Sequence, residues 1–260
     1  MVSTPSQRPP KIIRHDVATL AAGYSPSQHR WNIGGLVAFA ALGVAVGVHV
    51  FARPLEVWPV VLGVLAGWVA TDLVTGFVHW AGDTWGRPDM PIIGRSVIRT
   101  FREHHIDAKA ITHHGLVQTL GEQAIGAVPV MALLWLCDPD PDNGFGAGAL
   151  VGLYVLVVAS TASNLFHKWA HMKRPPRLAR ALQKMGLIMS LEHHARHHRA
   201  PHLEGYCIAI GWLNPLLDGI GFWRGLEWLV WKLTGAVPRE DDLGRDAALA
   251  LLGRGGSARE

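Results

Sequence analysis

Four long apolar stretches, separated by polar ones, organise the chain. The first runs from Ile33 to Phe51, with His49 as its one strongly polar residue; the second runs from Val57 to Val78 and carries Asp72. The third, Ile125 to Cys137, reaches spanning length only with its flank from Leu120, and the fourth runs from Phe145 to Phe166. A helix crossing the hydrocarbon layer needs about 20 apolar residues. Three stretches meet that length alone. A domain of this size has no room to hide four such helices from water. The pattern therefore predicts an all-α integral membrane protein with four transmembrane helices, over 33–51, 57–78, 120–137 and 145–166, inside a membrane domain spanning 31–238.

Charge gives the bundle a direction. The loop after the first stretch has one basic residue, Arg53, and the loop Asp138–Asn143 has none. Every other Lys and Arg lies before the first stretch, between the second and third, or after the fourth. Basic loops stay on the cytoplasmic side, so both termini and both long polar segments are expected there, in a bacterial inner membrane. Residues 1–30 are polar and read as a cytoplasmic segment, because a cleaved secretory signal places its apolar run earlier. Residues 219–234 have Trp at helical spacing with Arg224, Glu227 and Lys232 interspersed. They read as an amphipathic helix lying on the membrane or packed on a core of its own. Residues 239–260 read as a polar, poorly ordered tail.

Composition sharpens the candidate chemistry. Hydrophobic residues make up 49% of the 260 and charged ones only 17%, which excludes a disordered chain and one built to bind nucleic acid. The two Cys form neither a disulfide framework nor a zinc-finger pair. The 15 His are the unusual feature. All but His15, His29 and His49 fall on the predicted cytoplasmic side, at or just past the ends of the spans.

The second span ends in Asp72, His79 and Asp83, whose spacings of seven and four place them along one helix face. An ionisable residue inside a span is costly, so Asp72 needs a partner, which a His or its metal would provide. The next loop carries His104-His105 and His113-His114; the fourth span ends in His167 and His171; the following segment carries His193-His194, His197-His198 and His202. Pairs at i and i+4 share a helix face and can chelate one ion. Clusters from four separated stretches at one depth predict a metal centre, with more imidazoles than one ion holds, hence two ions. Imidazole alone suits iron, zinc or copper. The membrane setting favours iron, because zinc polarises bonds but does not activate oxygen to break an unactivated C–H bond.

These stretches resemble the Kua family of plasmanylethanolamine desaturases, which includes a bacterial light-response protein and the plant plastid fatty acid desaturase 4 group. The matching segments are Asp72 to Trp85 (DLVTGFVHWAGDTW), Phe101 to Ile111 (FREHHIDAKAI) with His113-His114, His167 to His171 (HKWAH), His193 to His198 (HHARHH), Pro201-His202 and Gly211-Trp-Leu-Asn214. They cover roughly residues 66–238 in order. The family's usual pattern has one His after the threonine of the third segment, aligned here with His114, so that His113 is extra.

The resemblance implies a di-iron, O2-dependent desaturase that converts a 1-O-alkyl phospholipid in the bilayer to its vinyl ether. A separate electron-transfer protein, of ferredoxin or cytochrome b5 type, would supply electrons, since no flavin or cytochrome motif is present. It implies His79, His104, His105, His114, His167, His171, His194, His197 and His198 as metal ligands. Asp83, His193, His202 and Asp72 are weaker candidates for ligands or for orienting them. Arg102, Lys109 and Arg196 are candidates for a headgroup phosphate. The alternatives are an acyl-lipid desaturase or hydroxylase on the same scaffold, a zinc-dependent membrane hydrolase, and a metal-sensing protein without turnover.

Overall fold

The computed structural model describes residues 24–52, 55–137 and 144–256. The loop Asp138–Asn143, Arg53 and residues 1–23 lie outside the described residues. The described chain is helical, with no strand among those residues.

Four helices are long and apolar enough to cross a membrane: α1 (Pro26–Phe51), α2 (Val57–Thr84), α5 (Leu116–Leu136) and α6 (Gly144–Ala170). Between α2 and α5 lie a π-helical turn, Gly94–Ile98, and two short helices, α3 (Arg99–Ile106) and α4 (Ala110–His113). After α6 come α7 (Arg177–Lys184), α8 (Leu191–His197), α9 (Asn214–Gly219), α10 (Phe222–Thr234), α11 (Glu240–Leu243) and α12 (Arg245–Gly256).

Every long helix outruns its apolar stretch, and always at the same end of the bundle. α1 and α5 start earlier than the apolar pattern predicts, at Pro26 and Leu116, while α2 and α6 finish later, at Thr84 and Ala170. Loss of apolar character does not mark where these helices stop. At the start of α1 the Ser25 side chain accepts from the Gln28 N–H and caps the early turn. The extra turns carry polar side chains inward and build the floor of the site.

Small residues set the close packing. α2 carries Gly63 and Gly67, four apart, and α6 carries Gly148 and Gly152. A Cβ at Gly63 would stand 2.0 Å from the Gly148 carbonyl oxygen, and one at Gly67 2.2 Å from that of Gly152. The backbones touch, as in small-residue crossings of membrane helices. α1 meets α5 in the same way, where a Cβ on Gly121 would stand 2.3 Å from that of Asn32. Val46, Val50, Met131, Leu134, Leu150 and Val151 fill the centre between α1, α5 and α6. The outward faces hold Val37, Val44, Val48, Leu62, Leu65, Leu133 and Leu136, all exposed.

The segment after α6 folds onto the bundle. Trp223 and the carboxylate of Glu227, on the inner face of α10, are buried against Trp80 and Tyr206, while Trp228, Leu229 and Leu233 on the other face stay exposed. Residues 240–256 of the expected poorly ordered tail are helical instead, and residues 257–260 lie outside the described residues. Residues 240–256 form α11 and α12, in which Ala248 and Leu252 are buried. Arg239 is buried too and joins Glu227 at 2.8 Å and the Tyr206 hydroxyl at 2.5 Å. The ordering comes from this ionic contact, which no local sequence pattern signals.

Asp72 corrects another expectation. Its carboxylate accepts from the N–H groups of Ile210 and Gly211, both at 2.9 Å, and of Leu213 at 3.0 Å. Its charge is compensated by backbone donors and it neither binds nor orients a metal-ligating histidine. It pins the 207–213 segment against α2.

Candidate metal centre

The extended ends of α2 and α6, with α3 and α8, converge on one buried volume. Each contributes imidazoles through its own spacing. On α2, His79 and Asp83 are one turn apart and face inward together. On α6, His167 points in from the last turn and His171 follows just past it. On α8, capped by the Ser190 hydroxyl that accepts from the His193 N–H, His194 and His198 share one face with His197 beside it.

Two groups result. In the first, ligand atoms of His104, His167, His171, His194 and His198 all lie within 4.8 Å of one another. The Nε2 atoms of His167 and His194 are 2.8 Å apart, those of His194 and His171 2.9 Å, and those of His198 and His194 3.0 Å. The second gathers His79, His104, His105 and His197 within the same limit. Asp83 stands at its centre: one carboxylate oxygen is 3.2 Å from His79 Nε2 and 3.3 Å from His197 Nε2, and the other is 3.4 Å from His105 Nε2. His104 belongs to both groups.

These atoms suit a cation and not one another. His79 Nδ1 donates to the Tyr206 carbonyl at 3.1 Å, and His197 Nδ1 to the Glu204 carbonyl at 3.0 Å. A carbonyl only accepts, so each of these rings carries its proton on Nδ1 and presents the Nε2 lone pair to the centre. His79 Nε2, both Asp83 oxygens and both His104 nitrogens are buried without a hydrogen-bond partner. Buried nitrogens and carboxylate oxygens left without partners are costly unless a positive ion sits among them.

The electrostatics agree. Burial, reinforced by neighbouring imidazoles, holds His104 and His194 well below the usual histidine value and also lowers His198. Burial, again with nearby imidazoles, lowers His171 to about 4 and His202 to about 3. Neutral imidazole is the form that binds metal.

The remaining candidates separate. His202 stacks on His105, with ring centroids 4.3 Å apart, and its Nδ1 donates to the His197 carbonyl, so it braces the second group from outside. His114 falls in neither group; its Nε2 faces Glu103 at 3.9 Å. His193 and His113 are exposed, as are Arg196 and Lys109. Arg102 is not free for a phosphate. It donates to both Asp241 oxygens and to the carbonyls of Gly82, Asp83 and Gly86, holding the end of α2 in place.

Three contributors escaped the sequence reading. Glu103 is buried beside the centre and accepts from Arg99 at 3.3 Å; its one signal was its position next to His104. The carbonyls of Tyr206 and Glu204 orient His79 and His197, and backbone acceptors leave no mark in a sequence.

A cavity of about 490 Å3 opens from His79, His104 and His167 and runs between α2, α5 and α6 to Val130, Leu156 and Val157. Its far walls are aliphatic, and Gln118, Glu122, Gln123 and Asn164 line the near part.

Comparison with known proteins adds a separate line. The family model described as the lipid desaturase domain matches residues 68–241. A plasmanylethanolamine desaturase of Myxococcus xanthus is 41% identical over 244 residues, which cover 93% of this chain and 86% of that protein. Plasmanylethanolamine desaturase 1 of Mus musculus is 39% identical, covering 86% of this chain and 85% of its own. The chloroplastic fatty acid desaturase 4 of Arabidopsis thaliana is 34% identical, covering 67% of this chain and 52% of its own. No solved structure matches.

Proposed function

The chain belongs to the lipid desaturase family, and from that premise we propose that it is an oxidoreductase acting on 1-O-alkyl phospholipids, converting plasmanylethanolamine to the vinyl-ether plasmalogen. Two hydrogens leave C1 and C2 of the alkyl chain. Together with two electrons and two protons from outside, they reduce one O2 to two waters. The electrons come from a separate carrier protein of ferredoxin or cytochrome b5 type.

The observation that carries the reading is the set of buried, unpartnered ligand atoms beside an apolar cavity. His167, His171, His194 and His198 would hold one iron, and His79, His105, His197 and Asp83 a second, with His104 between them. Bound iron supplies the O2 activation that an unactivated C–H bond requires. The chain does the rest. Tyr206 and Glu204 fix the ligand rings through their carbonyls, and Asp83 balances positive charge at the second position. The cavity holds the alkyl chain away from water with its first carbons against His79, His104 and His167. We place the bundle in the bilayer with the site on the cytoplasmic side, on the strength of the basic loops there.

A second reading, desaturation of an acyl lipid, draws on the likeness to the Arabidopsis protein. Both plasmanylethanolamine desaturases align over more of this chain and of their own length, which favours the ether lipid. The test is expression in a host that makes alkyl-ether phospholipids but no plasmalogens, with purification alongside. Acid-labile vinyl ethers and iron at about two per chain are expected. An iron-loaded, folded protein that leaves alkyl-ether lipid intact and places a double bond in an acyl chain would transfer the assignment to the second reading.

A further inference from the structure

Helix-interior glycine costs about 1 kcal/mol relative to alanine, and where such a glycine lines a cavity the missing side chain is space the cavity gains. In α2, α5 and α6, Gly63, Gly67, Gly121, Gly148 and Gly152 stand where a Cβ would strike a neighbouring helix. Gly126 of α5 does not. A Cβ there would meet nothing within 4 Å, and the residue is exposed. It lines the cavity that leads to the histidines.

The same stretch of cavity wall is open sideways. Val74 and Val78 of α2 and Val130 of α5 all line the cavity and are 41%, 57% and 44% exposed. α2 and α5 scarcely touch one another, which leaves the cavity wall open between them. α1 closes against α5, and α2 against α6, through their glycine crossings. The gap left between α2 and α5 is therefore a side opening bordered by aliphatic groups.

We propose that this opening is the entry by which the lipid's alkyl chain slides in from the bilayer, and that Gly126 sets the width of the slot there and so the chains it admits. The inference rests on the lipid-desaturase reading. It adds the route and a residue that determines specificity. The missing side chain leaves open space one helical turn from Val130 in the cavity wall, where the far part of a long alkyl chain would lie and a short chain would not reach. A bulky side chain at 126 would occupy the space a long chain needs, without pressing on any helix.

The test uses the iron-loaded enzyme in nanodiscs. Gly126→Ala, which places one methyl group in the slot, is expected to lower turnover of long-chain lipid by less than the larger substitution does. Gly126→Phe is expected to lower kcat/KM for long-chain 1-O-alkyl lipid by about tenfold or more, while iron content and turnover of a short-chain 1-O-alkyl lipid are kept. Equal turnover of all chain lengths by Gly126→Phe, or equal loss on all of them with iron retained, would overturn the proposal. A second variant guards against misfolding. Gly126→Cys, made in a Cys137→Ser background, adds only a small group; Cys207 is buried and silent. A bilayer-soluble alkyl maleimide should label it, and long-chain lipid should slow labelling about tenfold. Labelling that no lipid slows sinks the slot. Labelling slowed by acyl lipid and not by ether lipid keeps the slot and removes the ether-lipid assignment.

Discussion

At the scale of single residues, two aspartates on one helix show how partners decide what a carboxylate does. Asp72 and Asp83 lie eleven residues apart, about three turns, on the same face of α2. Both are buried. Asp72 receives three backbone N–H bonds, and hydrogen bonds to a charged acceptor contribute about 1.5–3 kcal/mol each. Asp83 receives none, and its oxygens face three imidazole nitrogens. Asp72→Asn is therefore expected to lower unfolding stability by about 3 kcal/mol, because an amide offers N–H where an acceptor is needed. Asp83→Asn should do the reverse. It removes an uncompensated buried charge, so the iron-free protein is expected to keep or gain stability, while the loaded protein loses about half its iron and its activity. Denaturant unfolding of iron-free and iron-loaded samples, with metal analysis, checks both. A matched loss of iron-free stability in the two variants would contradict this division.

At the scale of elements, the site depends on one helix pair being held close. Gly67 and Gly152 let α2 and α6 touch, and twelve and fifteen residues further along, roughly 18 and 22 Å, the same two helices carry His79 and His167, whose rings are 5.5 Å apart. Gly67→Leu would drive a side chain into the Gly152 carbonyl, 2.2 Å from where its Cβ must sit. The obstacle is backbone, so the helices must separate. A stability loss of about 3 kcal/mol or more is expected, with weakened iron retention although no ligand has changed. Thermal unfolding and metal content report the two effects, and Gly126→Ala, in open space, is the control that should show neither. The elements were also the level most legible in the sequence. Four apolar runs gave four helices, and spacings of four gave the inward pairs His167/His171 and His194/His198; the same spacing would pair His193 with His197, of which only His197 turns inward. What stayed hidden depended on distant partners. Neither the donors that occupy Asp72 nor the four oxygen-bearing groups that occupy Arg102 lie near them in the chain. Glu227, Arg239 and Tyr206 meet only after folding, so a stretch that looked like a polar tail closes the back of the site. His114 lies nine residues past His105, and the turn at α4 directs it toward Glu103 rather than into either group.

At the scale of the whole molecule, the bundle buries a set of weak bases in their neutral form, and that choice links stability to acidity. In the unfolded chain each histidine titrates near 6.5. In the folded protein burial lowers His104, His194 and His198, and brings His171 to about 4 and His202 to about 3. Between those limits the unfolded state binds protons that the folded state refuses. Stability therefore rises with pH across the window and falls as pH drops through it. Iron-free protein in detergent is expected to hold its Tm above about pH 7 and to lose it steadily as pH falls from about 6.5 through 4 and 3. Iron deepens the dependence, because each proton that binds an imidazole also displaces a metal bond. The loaded enzyme should start from a higher Tm and fall more steeply over the same range, releasing iron as it does. Unfolding scans against pH, with released iron followed in parallel, measure both curves. A Tm that stays flat from 7 to 4 would mean that the imidazoles reach water in the folded state, and a centre open to water cannot keep the dry contact between metal and alkyl chain that the proposed reaction needs.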